Sequence, residues 1–508
     1  MQNGVIGKAK KNLFFGAINK IVLVLCPFIE RSFVQNLLGE QYLGLGSLFS
    51  SVLNVLSLTE LGFSAAMIYN MYKPVAEGNF RKVNALLNFY RKVYNVIGII
   101  VLLIGTAIIP FLTNLIKDSY PDDINLVYLY IIYLINASIS YFMFAYMTSI
   151  VVVNQRDDIQ SSINSIVRIL LTFSQILVLF TTRNYYLFAA LMPIFTVVNN
   201  IWIAYRVHRL FPQYIPNGNI DEKDRRSIRK IVAGTFVQQA CIVTRNSLDS
   251  ICISAFLGLA MTAIYNNYYL VLSGVTSFVT IISSAFIGGV GIHVATKTVE
   301  ENFEELKKID FVYLIISGWS CSCLLCLYQP FMKVWMGDKM LLETPAVLML
   351  CGYFYLLKLG DMRSMYSSAN GLWWEQKYRA LAETLLNLTL NLILGKLFGV
   401  YGIISATMIS LILCNYIWSV GIVFKMYFKS ERKKEYYTYQ LKLTMVNILV
   451  VIVTYESTIF LNIENNIIEI LVKAIFCCII PPVIYYLVYH NNRYFKYVIS
   501  TVININKK

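Results

Sequence analysis

Ionisable side chains stand inside stretches of this sequence that are otherwise apolar, and their spacing places several of them on shared helical faces. Lys20 and Arg31 are eleven residues apart, about three turns of an α-helix, with Pro27 between them. Pro27 removes a backbone donor and can bend the helix, opening space where a substrate passes. Gln238, Arg245 and Asp249 recur at i, i+7 and i+11. Lys358 and Asp361 are three apart, with Arg363 on a different face. Arg168 has Gln175 seven residues on, Glu60 is flanked by Ser57 and Ser64, and Glu383 has Asn387 four residues on. A charge at the centre of a bilayer costs at least about 2.5 to 3.5 kcal/mol on insertion scales, so such groups face a wet cavity or a partner. Both outcomes stay open for each of them. Arg245 and Asp249 can pair one turn apart or exchange partners with a substrate. Glu30 or Arg31 can close an ion pair at the outer end of the first span. Glu60 can couple protons or neutralise Lys20 or another cation.

The elements that carry these residues are about fourteen apolar stretches, each near the roughly 20 residues that a bilayer crossing needs. They begin near Asn12, Gly44, Tyr94, Val127, Ile163, Tyr185, Ile231, Met261, Phe311, Pro345, Tyr378, Tyr401, Leu441 and Ile467. Hydrophobic residues make up 57% of the 508 and charged ones 14%, with a mean hydropathy of +0.60, which excludes a sizeable soluble domain. The expected fold is an all-α polytopic membrane protein of about 14 transmembrane helices: a lobe of six spans over 1–210, a second over 211–430, and two appended spans with a cytoplasmic tail over 431–508. The first apolar segment, interrupted by Lys20, Glu30 and Arg31 and without a small-residue cleavage site, reads as a retained span.

The net charge of +15 has a topological cause and gives no reason to expect a nucleic-acid partner. Lys and Arg collect in alternate loops: Lys8, Lys10 and Lys11; Lys73 to Lys92; Arg206 to Lys230; Lys425 to Lys434; and Arg493 to Lys508. The positive-inside pattern puts these loops and both termini in the cytoplasm. The ten cysteines lie in or at the ends of apolar segments, so neither a disulfide framework nor a metal site is expected, and no cofactor motif is present.

A weak internal repeat pairs Glu77-Gly78-Asn79-Phe80 with Glu300-Glu301-Asn302-Phe303, six spans later, and Leu38-Gly39 with Leu257-Gly258. Halves related in this way have one orientation, and their shared cavity is expected between them. Tyr265, Tyr268 and Tyr269, with Asn266 and Asn267, suit sugar faces and hydroxyls, though each ring can equally be structural.

Leu58-Thr59-Glu60-Leu61-Gly62-Phe63, Tyr72-Lys73-Pro74-Val75-Ala76-Glu77-Gly78, Arg245-Asn246-Ser247-Leu248-Asp249 and Glu383 through Asn387-Leu388 resemble bacterial polysaccharide-repeat flippases of the Wzx type. That family belongs to the multidrug/oligosaccharidyl-lipid/polysaccharide exporter superfamily, and the resemblance in arrangement runs over almost the whole chain. It implies a transporter, not an enzyme, in the bacterial cytoplasmic membrane. Its cargo would be a polyprenyl-diphosphate-linked oligosaccharide carried between leaflets, with membrane lipids and glycan polymerase or glycosyltransferases as further partners. An anionic diphosphate head requires cations: Lys20, Arg31, Arg168, Arg245 and Lys358 are the candidates, with Glu60, Asp249, Asp361 and Glu383 as coupling or ion-pair residues. The alternatives are a peptidoglycan-precursor flippase, a drug or cation antiporter of the same superfamily, and a membrane-embedded glycosyltransferase or polymerase, which the short outer loops disfavour.

Overall fold

A computed structural model of the protein describes residues 2–57, 62–117, 119–461 and 463–497, and every regular element among them is helical. Glu60 and most of the Leu58 to Phe63 motif lie outside the described residues, as does the side chain of Gln238. The chain divides into two compact units, Met1–Ala263 and Ile264–Lys508.

The first unit contains α1 (Gln2–Leu37), α2 (Glu40–Leu56), α3 (Phe63–Ala76), α4 (Phe80–Ile108), α5 (Leu126–Phe142), α6 (Thr148–Val153), α7 (Asp157–Thr182), α8 (Tyr185–Leu210) and α9 (Glu222–Leu257). Its helices start where the sequence supplies a cap. Asn79, Asn125 and Asn184 each accept a backbone N–H of the following turn, which satisfies donors that the helix itself leaves orphaned. The helix α1 packs on α7, α7 on α8, α8 on α5, and α9 lies against α2 and α3. Outward-facing Leu13, Leu103, Phe173 and Phe180 are more than half exposed, the pattern of helices whose outer faces are solvated by lipid.

The second unit takes most of α10 (Leu259–Thr296), then α11 (Val299–Met336), α12 (Thr344–Leu359), α13 (Asp361–Ala369), α14 (Lys377–Ser410), α15 (Ser419–Val423), α16 (Lys433–Ile459) and α17 (Asn466–Tyr489). Its centre is α11, which packs on α12, α16 and α17. Close approach is built in at Gly318, where an added Cβ would come within 2.4 Å of Asn447 Oδ1.

Eleven helices among the described residues are long and apolar enough to span a membrane, or twelve if Leu126–Phe142 and Ala145–Val153, bent by 51°, form one span. One of the eleven, Lys377–Phe428, is 52 residues long and loses helical geometry at Gly399 (φ 58°, ψ −134°). Asn387 Nδ2 nevertheless donates to Thr407 Oγ1 at 3.0 Å, whereas twenty residues of straight helix would separate them by about 30 Å. The segment therefore doubles back at Gly399 into two antiparallel arms. The sequence breaks it at the same place, with separate spans beginning near Tyr378 and Tyr401.

The two internal echoes fare differently. Gly39 (φ 108°, ψ 178°) joins α1 to α2, and Gly258 (φ 90°, ψ 178°) joins α9 to α10 in the same backbone conformation, one that side chains rarely adopt. The other pair diverges. Asn79 caps α4, but α11 starts earlier on a Thr298–Glu301 capping box, so Asn302 sits inside the first turn and donates back to the His293, Lys297 and Thr298 carbonyls.

One contact in the first unit yields a sharp stability expectation. A Cβ on Gly44 of α2 would lie 2.2 Å from the Leu259 carbonyl oxygen, which is backbone and cannot rotate away. Gly44→Ala is expected to cost about 1–3 kcal/mol through overpacking. Gly16→Ala, with nothing within 4 Å, should be neutral or stabilising by up to about 1 kcal/mol. Thermal unfolding of the two variants in detergent checks the contrast, and equal midpoints would refute it.

Candidate substrate site

In the first unit a polar ladder joins α1 to α7. The Asp158 N–H donates to Asn12 Oδ1 (2.9 Å), Ser165 Oγ to Asn19 Oδ1 (3.2 Å), and Arg168 Nη2 to Glu30 Oε2 (2.7 Å). Residue numbers rise together on both helices, so α1 and α7 run parallel. The Glu30–Arg168 pair is largely buried, with 15% and 26% of the side chains exposed, and Arg168 Nε is buried with no hydrogen-bond partner. Arg31, one residue on, turns to another face: its Nη1 donates to Ser47 Oγ on α2 (3.2 Å) and its Nη2 to the Ala263 carbonyl (3.5 Å). Tyr133 and Tyr185, joined through their hydroxyls at 3.0 Å, lie within electrostatic reach of Glu30 and Arg31. Lys20 is exposed, so the stripe it shares with Arg31 by spacing does not give the two cations one environment. Pro27 sits within a helix that continues unbroken to Leu37.

Arg245 and Asp249 on α9 are both buried, at 7% and 3% exposure, with Ser247, Ser250 and Ser254 buried beside them. A guanidinium in a helix lined with small hydroxyls can donate to an anionic oxygen.

The second unit gathers a denser polar cluster around α11. Helix α12 ends at Leu359 and α13 begins at Asp361, and across this joint Lys358 Nζ reaches Asp361 Oδ2 at 3.0 Å and Thr280 Oγ1 on α10 at 3.3 Å. The same Asp361 oxygen accepts Tyr313 Oη from α11 at 2.5 Å. One turn earlier on α11, Asp310 is 1% exposed and accepts Gln440 Nε2 from α16 at 3.0 Å, while Gln440 also donates to the Leu359 carbonyl. Arg363 is fully buried. Its Nη2 donates to the Asn415 carbonyl (2.7 Å), its plane faces the Tyr416 ring, and Nε and Nη1 have no partner. On the first arm of α14, Glu383 is 1% exposed and accepts Arg379 Nη1 at 2.7 Å.

The expected residues thus divide by environment. Arg168, Lys358, Asp361 and Glu383 sit in ion pairs, Arg31 donates to Ser47 and the Ala263 carbonyl with Glu30 within electrostatic reach, Arg245 and Asp249 are buried on one helix, and Lys20 is exposed. Spacing did not point to Asp310, Arg379 or Gln440, nor to a buried place for Arg363. Asp310 had a usable signal: with Tyr313 and Ser317 it forms a polar i, i+3, i+7 stripe that is wholly buried. Tyr268 is tied into the second unit: its hydroxyl donates to Gln329 Oε1 (2.6 Å) and accepts the Leu342 N–H, while its carbonyl accepts the Tyr328 hydroxyl.

No family model and no curated protein sequence matches the chain. Its fold, however, is similar to that of several solved membrane transporters. It is similar to a lipid II flippase MurJ in an inward closed conformation, with a TM-score of 0.67 over 94% of this chain and 99% of that one at 14% identity. It is also similar to an inward-facing multidrug resistance MATE family transporter (TM-score 0.61, 15% identity, 79% of this chain and 94% of that one). The Vibrio cholerae MATE transporter VcmN aligns with a TM-score of 0.56 at 12% identity, over 84% of this chain and 98% of its own.

Proposed function

We propose that the protein is a flippase. It moves polyprenyl-diphosphate-linked oligosaccharide repeat units from the inner to the outer leaflet of a bacterial cytoplasmic membrane by alternating access, for assembly of O-antigen, capsule or exopolysaccharide. The observation that carries this reading is the likeness to a lipid II flippase over 94% of the chain, whereas the MATE likenesses cover 79% and 84%. The partly buried Arg31 and the buried Arg245 support an anionic cargo, because a drug cation would instead favour carboxylates. In this reading they hold the diphosphate. Arg168, Lys358, Asp361 and Glu383 act through the ion pairs that place them, and Asp249 and Glu60 are the candidates for coupling.

The same likeness favours a second reading, a peptidoglycan-precursor lipid as cargo. Reconstituting the purified protein in vesicles and measuring leaflet transfer of each lipid-linked substrate separates the two. Transfer of the oligosaccharide diphosphate lipid is expected, transfer of the peptidoglycan precursor alone would favour the second reading, and transfer of neither would refute both.

The proposal places both termini and the loops 73–92, 206–230 and 425–434 in the cytoplasm. The parallel course of α1 and α7 supports it, since first and fifth spans must run the same way. Cysteines introduced in these loops should resist an impermeant thiol reagent in intact cells and react after permeabilisation. Labelling in intact cells would overturn the topology.

A further inference from the structure

The structure holds a second place suited to the head of such a lipid, apart from Arg31 and Arg245. A cavity of about 620 Å³ opens between α3, α4 and the start of α9, lined by Phe63, Phe89, Arg225, Arg229, Val232 and Phe236 among others. On α9 these residues fall at i, i+4, i+7 and i+11, so Arg225, Arg229, Val232 and Phe236 share one face. Along about 16 Å of helix, at 1.5 Å per residue, that face passes from two guanidinium groups to an aliphatic and then an aromatic side chain. The charged end belongs to the basic 206–230 segment, and the apolar end leads into the spanning part of the helix, Gln239–Leu257. The gradient matches an amphiphile with an anionic head at the interface and a hydrocarbon chain running inward.

The walls are held in place. Lys82 Nζ on α4 reaches Asp224 on α9 at 2.9 Å. Asn88 Nδ2 donates to the Gly218 carbonyl (2.8 Å), and Asn84 exchanges hydrogen bonds with Gln213 and Ile215, so the loop before α9 is tied to α4. Phe63 is 7% exposed and packs on Phe89 and Tyr90, making a firm aromatic wall, while Phe236 opposite remains 39% exposed. Glu222 approaches Arg225 at 3.8 Å with both side chains about half exposed, an ion pair worth little in competition with a phosphate.

We propose that this cavity is a docking site for a lipid phosphate, with Arg225 and Arg229 on the phosphate oxygens and Phe63, Phe89, Val232 and Phe236 along the first part of a polyprenyl chain. Resting on the flippase reading, it is the place where the cargo's phosphate is held at the cytoplasmic interface before it enters the transport path.

The test uses the full-length protein in phosphatidylcholine nanodiscs, titrated with a fluorescent polyprenyl diphosphate. Arg225→Gln/Arg229→Gln should weaken binding at least about tenfold, as loss of two charge-assisted contacts requires. Arg225→Lys/Arg229→Lys should stay within about threefold, and uncharged polyprenol should not compete. Undiminished binding in the double Gln variant would overturn the proposal, and so would competition by inorganic diphosphate at the lipid's own concentration, which would make this a soluble-anion site. A photoreactive polyprenyl diphosphate keeps the question open to decision if the variant misfolds, because in the wild type it should label α3, α4 or 222–238, and labelling confined elsewhere would refute the assignment. Leaflet transfer by the wild type, measured alongside, separates the two readings: transfer with unaltered binding in the double Gln variant sinks only this pocket, and no transfer sinks the flippase reading itself.

Discussion

Arg379→Leu is expected to destabilise the protein by about 3–5 kcal/mol, the cost of leaving one member of a buried pair without the other. Arg379 and Glu383 lie one turn apart on α14 at 2.7 Å, with 11% and 2% of their side chains exposed. Without the guanidinium, the Glu383 carboxylate remains buried among helices and has lost this counter-ion. The double variant Arg379→Leu/Glu383→Gln should recover most of the loss, because a neutral amide carries a far smaller desolvation penalty. Denaturation of the purified proteins in one detergent checks both. A single variant as stable as the wild type, or a double variant no better than the single, would show that the pair is not a structural anchor.

Arg31→Ala and Arg245→Ala are each expected to reduce transfer of a polyprenyl-diphosphate-linked oligosaccharide by about ten- to a hundredfold. That range corresponds to one charge-assisted hydrogen bond of about 1.5–3 kcal/mol. Lysine at either position keeps the charge and loses the planar fork, so Arg31→Lys and Arg245→Lys should retain more transfer than alanine. Transfer is measured in vesicles at matched amounts of folded protein. Alanine variants that transport normally would remove both arginines from the binding role. A drop in folded protein with unchanged transfer per molecule would assign Arg245 to a structural role beside Asp249. Arg168→Met provides the contrast, because Glu30 holds that guanidinium at 2.7 Å, and its loss should appear mainly in stability.

Hydropathy alone identified the all-helical membrane class, because crossing a bilayer needs a contiguous apolar run that can be counted along the chain, although eleven or twelve of the described helices qualify as spans where about fourteen are expected. The reversal inside Lys377–Phe428 and the glycine joints at Gly39 and Gly258 were visible for a similar reason: each depends on residues a few positions apart. The local pair Lys358–Asp361 could be read as well, since three residues bring two side chains together on almost any helical path. Partners across helices could not be read. Arg168 meets Glu30 on α1, Asp310 meets Gln440 on α16, and Arg363 meets the Asn415 carbonyl, contacts spanning from 52 to 138 residues. Helical periodicity states which side chains share a face and is silent on what lies opposite. That is why Lys20 and Arg31, equivalent by spacing, end in different surroundings, the first exposed and the second against Ser47 and Ala263. The chemistry available to each charge is settled by packing between helices, through the solvent it excludes and the oxygens it brings within reach.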